Sequence, residues 1–193
     1  MSAISALRRI AGAESPPAAR CELCAEPLAA AHEHVIELPA RTLACACTGC
    51  ALLFDASGTR RRLPRDVRIL ADDDLSPAEW AALGIPIQLA FLTLGDDGSL
   101  RAAYPSPAGM VTAALEPELW PMLVAAHPRL ASMAPETESL LVNRMSDPHQ
   151  LFLVPLDRAF ELAGLIRQTW SGFSGGERGR HALRTFCAEL LHA

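Results

Sequence analysis

Apolar residues recur along this chain with two different periods, and the switch between them marks out its elements. Residues 87–94 form an apolar run of strand length, Gly95-Asp96-Asp97-Gly98 reads as a hairpin turn, and residues 100–104 return as a second strand. Two further strands are expected over 138–144 and 150–155, around the turn Ser146-Asp147-Pro148-His149; Leu151-Phe152-Leu153-Val154 is the most strand-like stretch. Elsewhere the spacing is helical. Leu119, Met122, Leu123 and Ala126 line one face of a helix over 117–126. Leu162, Leu165, Ile166, Thr169 and Trp170 do the same over 157–170, with Asp157 as the expected N-cap. Leu183, Phe186, Cys187, Leu190 and Leu191 mark a last helix over 180–192 and make Cys187 a core residue.

Turn and cap chemistry fills the gaps. Ser76, Pro77 and Glu79 spell a capping box with proline at the first helical position, and Gly84-Ile85-Pro86 stops that short helix. Tyr104-Pro105-Ser106-Pro107-Ala108-Gly109 reads as an irregular loop fixed by two prolines. Near the N-terminus, residues 2–11 suit a short amphipathic helix and 14–19 a stiff linker. Residues 35–38 and 42–45 flank Pro39 as a β-hairpin, 52–54 suggest another strand, and Asp55-Ala56-Ser57-Gly58 a turn. The expected fold is therefore α+β: a helix and linker over 1–19, a small zinc-ribbon-like module over 20–65, then an antiparallel sheet with two C-terminal helices over 66–193.

The cysteines give that module its chemistry. Five of the six fall between positions 21 and 50. Cys21-x-x-Cys24 and Cys47-x-x-Cys50 are two knuckles at the spacing of a tetrahedral thiolate site. Zn2+ is the expected ion, with iron or an iron–sulfur cluster as the alternative on the same ligands, in which case the chain would be an iron–thiolate redox protein or a metal or cluster carrier. Cys45 is a surplus thiol. On a continuous strand it would share a face with Cys47, and it could replace a ligand, support a second ion, or pack as a small apolar residue. His32 and His34 are also two apart; they are additional candidate ligands or simply hydrogen-bonded side chains.

Charge and composition then narrow the function. The net charge of −5 argues against a dedicated nucleic-acid binder, although the arginine run beside the knuckles keeps a zinc-ribbon nucleic-acid regulator as an alternative reading. All seventeen basic residues are arginine, so no lysine exists for a phosphate loop, a Schiff base or a general base. Phe173-Ser174-Gly175-Gly176-Glu177-Arg178 looks like the signature loop of ATP-binding cassette proteins, but without a phosphate loop it reads as a glycine turn between helices. Gly172-Phe173-Ser174-Gly175-Gly176 fits the letters Gly-x-Ser-x-Gly, but it lies between two expected helices and not at the strand-to-helix turn of a nucleophile elbow, and the chain reads as a non-enzyme. No secretory pattern or apolar span is apparent, so a cytoplasmic protein is expected, without a membrane partner or an identified small-molecule substrate. Candidate partner contacts are Arg60, Arg61 and Arg62 in the one basic run, Tyr104 in the proline loop, and Arg144 at the end of the strand over 138–144.

The two knuckles, the run Ala51-Leu52-Leu53-Phe54, the 104–109 loop, Leu140-Leu141-Val142-Asn143-Arg144, Phe152-Leu153-Val154-Pro155-Leu156-Asp157 and Trp170-x-Gly172-x-Ser174-Gly175-Gly176 carry a resemblance. With them the chain resembles an uncharacterised bacterial family, mainly actinobacterial, encoded beside nickel–iron uptake hydrogenases. That resemblance implies a hydrogenase accessory, assembly or maturation role, with a hydrogenase subunit or maturation factor as partner. It brings no catalytic residues.

Overall fold

The computed structural model describes residues 19–38, 40–54, 58–70, 74–106, 109–172 and 174–192. The helix and linker expected over 1–19 lie outside these residues except for position 19, as do Pro39, the 55–57 turn and most of the aspartate run at 72–74. The chain divides into two compact units, Met1–Arg62 and Leu63–Ala193.

In the first unit, β1 (Glu33–Glu37) and β2 (Thr42–Ala46) form the expected hairpin, and β3 (Arg60–Arg62) adds to the other edge of β1. All pairings are antiparallel, and the register sets His34 opposite Cys45 and Val35 opposite Ala44. Successive side chains alternate between the sheet's faces. Val35 and Ala46 fall on one face and are buried in a small core with Cys21 and Ala51, flanked by Leu28, Cys47, Cys50 and Phe54. The expected strand at 52–54 is absent. Thr48–Ala51 instead makes one turn of helix, α1, whose last residues turn back as Leu53 N–H bonds the Cys50 carbonyl and Phe54 N–H that of Ala51.

The second unit is a six-stranded antiparallel sheet. It contains β4 (Arg68–Ile69), β5 (Leu89–Leu94), β6 (Leu100–Ser106), β7 (Gly109–Ala114), β8 (Glu138–Asn143) and β9 (Gln150–Pro155), in the order β4-β9-β8-β5-β6-β7. Every residue of β5 and β8 is buried, which is why both read as apolar runs without alternation. The helices are α2 (Pro77–Ala82), α3 (Leu119–Ala126), α4 (Leu156–Thr169) and α5 (Gly176–Leu190), with a short 3-10 helix at Pro128–Ser132. α4 packs on β8, β9 and α5, and buries Ala159, Leu162 and Ile166. α5 buries Leu183, Phe186, Cys187 and Leu190 of the stripe its spacing predicts, whereas Leu191, the C-cap, is exposed. The architecture is thus α+β, with antiparallel sheets, C-terminal helices and the cysteine cluster in the N-terminal unit.

Three expectations need correction here. The proline loop at 104–109 is largely strand: β6 continues through Ser106 and pairs with β7, Tyr104 opposite Val111 and Pro105 opposite Met110. Pro105 is tolerated because β5 pairs with β6 no further than Ala103, so its missing N–H costs no ladder bond on that side. The N-cap of α4 is Pro155, and Asp157 lies within the first turn, its Oδ1 accepting from the Arg158 amide at 2.8 Å. The last helix starts four residues early, directly from the glycine pair. Gly175 holds φ +81°, and a Cβ there would meet the Trp170 ring at 2.9 Å, so both the dihedral and the packing require glycine.

Candidate metal centre

Each knuckle is built by local backbone bonding. In the first, the Ala25 amide donates to the Cys21 carbonyl at 2.7 Å and the Cys21 amide to the Glu26 carbonyl at 2.8 Å, with Ala25 at φ +64° closing the turn. An isolated bridge between Arg20 and Pro27 ties its ends. In the second, β2 stops at Ala46, and Cys47 becomes the N-cap of α1, its Sγ accepting from the Cys50 amide at 3.4 Å. Amide donors turned toward sulfur favour the thiolate over the thiol.

The four knuckle sulfurs of Cys21, Cys24, Cys47 and Cys50 lie within 4.8 Å of one another. Cys24 Sγ and Cys47 Sγ are 3.7 Å apart. A tetrahedron with Zn–S bonds of about 2.3 Å has sulfur–sulfur edges of about 3.8 Å. The group can therefore hold a metal ion without rearrangement along that edge. Its protons are unevenly held. The Cys47 amide draws the Cys21 thiol down to about 6, whereas Cys50, sharing protons with the thiols of Cys24 and Cys47, is pushed up to about 12. A dication replaces these shared protons, so binding releases them. Cys21 is buried and Cys24 exposed, so the ion would sit at the edge of the small core.

Cys45 does not share a face with Cys47, because the strand ends between them. Its Sγ instead joins His32 and His34 in a second group whose ligand atoms lie within 4.8 Å of one another. Burial, then the Glu22 carboxylate, raises the Cys45 thiol above its usual range. Glu22 escaped the reading of the sequence. Its backbone amide donates to the Cys45 carbonyl at 2.9 Å, and its Oε1 accepts from the Cys45 amide at 2.8 Å. Its only signal was its place between the first two cysteines.

The candidate partner contacts are spread over both units and are bonded within them. Arg60 pairs with Glu37 at 3.3 Å. Arg61 is buried and its Nε donates to the Gly58 carbonyl at 3.1 Å. Arg62 grips the buried Glu33 carboxylate with two bonds, at 3.0 and 3.2 Å. In the second unit Tyr104 is half-buried in β6. The Arg144 guanidinium donates to the Leu75 carbonyl and to Gln88 Oε1, and lies 5.5 Å over the Trp80 ring. Among the described residues of the first unit, the large apolar side chains left exposed are Leu23, Leu52 and Leu53, one within the first knuckle and two just after the second. No described helix is long and apolar enough to cross a membrane.

Residues 20–193 match the family described as "Family of unknown function (DUF5947)", and the chain belongs to that family. None of the curated proteins and none of the solved structures compared with the chain matches it.

Proposed function

We propose that this DUF5947 member is a metal-binding accessory or assembly protein that acts through protein contacts. Its four-thiolate centre holds Zn2+ as a structural ion. The observation that carries the reading is the convergence of Cys21, Cys24, Cys47 and Cys50 within 4.8 Å. Four protein ligands leave a tetrahedral ion no open position, which is the mark of a folding site and not of a catalyst. Zinc takes that geometry without electronic preference, and binding it stabilises a module with a small core. Leu52 and Leu53, 66% and 77% exposed beside the second knuckle, supply an apolar contact that the closed site presents. The resemblance in sequence motifs supports a hydrogenase subunit or maturation factor of a nickel–iron enzyme as the partner, met in the cytoplasm.

The test is element-resolved metal analysis of protein washed with a chelator, beside co-purification with hydrogenase components. A colourless protein that keeps about one zinc per chain, lost in Cys47→Ser, is expected. A red or brown protein carrying iron would replace zinc by an iron–thiolate redox centre. Loss of co-purification in Leu52→Asp/Leu53→Asp with zinc retained is the expected sign of docking. A deletion strain with normal hydrogenase maturation would remove the assigned partner.

A further inference from the structure

The three residues left over from the knuckles are placed as a set. His34 and Cys45 are direct partners across the β1–β2 hairpin, and His32 lies two residues before His34. Strand alternation puts His34 and Cys45 on the face opposite Val35 and Ala46, the residues that pack with the four-thiolate core. The His32 and His34 ring centroids are 4.8 Å apart at 64°. Both imidazoles and the thiol are half-buried.

His32 supplies the second observation. Its Nδ1–H donates to the Ala29 carbonyl at 3.0 Å, which leaves the lone pair on Nε2. That Nε2 is buried and has no hydrogen-bond partner. A histidine kept for structure pairs its buried nitrogen, because an unmade bond there is costly. A backbone carbonyl that fixes one ring nitrogen and leaves the other free to bind is the usual support of a metal-bound imidazole. Cys45 is fixed as well, since Glu22 bonds both its carbonyl and its amide.

We infer that His32, His34 and Cys45 form a second metal site, separate from the four-thiolate centre, which binds a late first-row dication of the Zn2+ class and leaves one tetrahedral position to an exchangeable ligand. Two neutral imidazoles and one thiolate are a donor set that zinc and its neighbours accept. A Cys–His nucleophile would need one imidazole on the thiol; here two converge, and His32 Nδ1 is already held by a carbonyl. The three-ligand count distinguishes this site from the closed one: it can take up an ion, bind a small donor on it, or release it.

The experiment is a Co2+ titration of the full chain that already holds its chelator-resistant ion, read by optical absorption and by the ring-nitrogen resonances of the histidines. The expected result is one further equivalent with the charge-transfer band of a single thiolate. The ring nitrogens of His32 and His34 shift together on that equivalent while those of His127 and His149 stay put. Added imidazole then changes the visible bands, because the fourth position is open. Cys45→Ser and His34→Ala each abolish the further equivalent and leave the tightly held ion in place. Absence of a further equivalent in the wild type, or binding that leaves both rings unmoved, overturns the second site, whatever the variants do. Failure of the four-thiolate reading shows separately, as a Cys47→Ser protein that keeps its full chelator-resistant metal.

Discussion

At the scale of single residues, Asn143 shows how a polar side chain that looks like a site can be a staple. It is the chain's one asparagine and ends β8 just before an arginine. The structure buries it and uses its side chain three times. Nδ2 donates to Gln150 Oε1 at 2.9 Å and to Cys187 Sγ at 3.6 Å, and Oδ1 accepts from the Met145 amide at 3.1 Å. It therefore sets the start of the β8–β9 turn and ties it to α5. Asn143→Ala should cost about 1–3 kcal/mol in urea unfolding, because it removes three bonds made by a buried side chain and takes from the Met145 amide its side-chain acceptor. A cost below a few tenths would mean that solvent replaces those bonds. Cys187, its sulfur partner, has its thiol pushed up to about 11 by burial, as befits the core position that the apolar stripe of the last helix predicted. Identities of this kind were legible where a period carried them. Asn143 and Glu22 were not, since each acts through a contact with a residue distant in the chain.

At the scale of elements, the local codes that read well are those closed within a few residues. The capping box is complete: the Ser76 amide donates to Glu79 Oε2 at 2.7 Å and the Glu79 amide to Ser76 Oγ at 3.2 Å. Glu79 does more than cap, for its Oε1 also meets His127 Nε2 at 3.1 Å. Ser76→Ala should therefore cost about 1 kcal/mol or somewhat more. The Ser76 bonds, and then His127, hold the Glu79 carboxyl below its ordinary 4.5. Since the folded value is the lower one, this contribution is fully present above pH 4.5 and is lost as acid carries the pH down through the folded value. The gap between the wild type and Ser76→Ala should then narrow on acidification; a gap that acid leaves unchanged would contradict the assignment. Elements whose identity depends on a partner read poorly. β7 was missed because its pairing with β6 outweighs the two prolines of the 104–109 run. The expected strand at 52–54 was misread because three apolar residues in a row do not reveal that Cys47 has already capped a helix. The same early end of β2 separates Cys45 from Cys47, and so gives the surplus thiol the place that spacing left open, beside His32 and His34 and outside the four-sulfur group.

At the scale of the whole molecule, the two units differ in what holds them. The second has a sheet whose central strands are buried throughout and a helix pair packed on it, a core large enough to stand by itself. Among its described residues the first has a handful of buried apolar side chains; Val35, Ala46 and Ala51 share one small core with Cys21, and Ile36 is buried on the other sheet face. Domains with so little to bury depend on a metal or a disulfide, and every described cysteine here is free. Without an ion, crowded thiols such as Cys50 must hold protons at the positions an ion would occupy. Removing the metal should accordingly unfold one unit and spare the other. Hydrogen exchange in the presence of a strong chelator should show the amides of β1, β2 and β3 losing protection. Those of β5, β8 and β9 should exchange as slowly as before. Readdition of zinc should restore the first set, with proton release as the thiols ionise. If β1–β3 kept their protection without metal, the bonds of Glu33 with Arg62 and the small apolar core would suffice, and the four-thiolate centre would be a cargo site and not the foundation of its module.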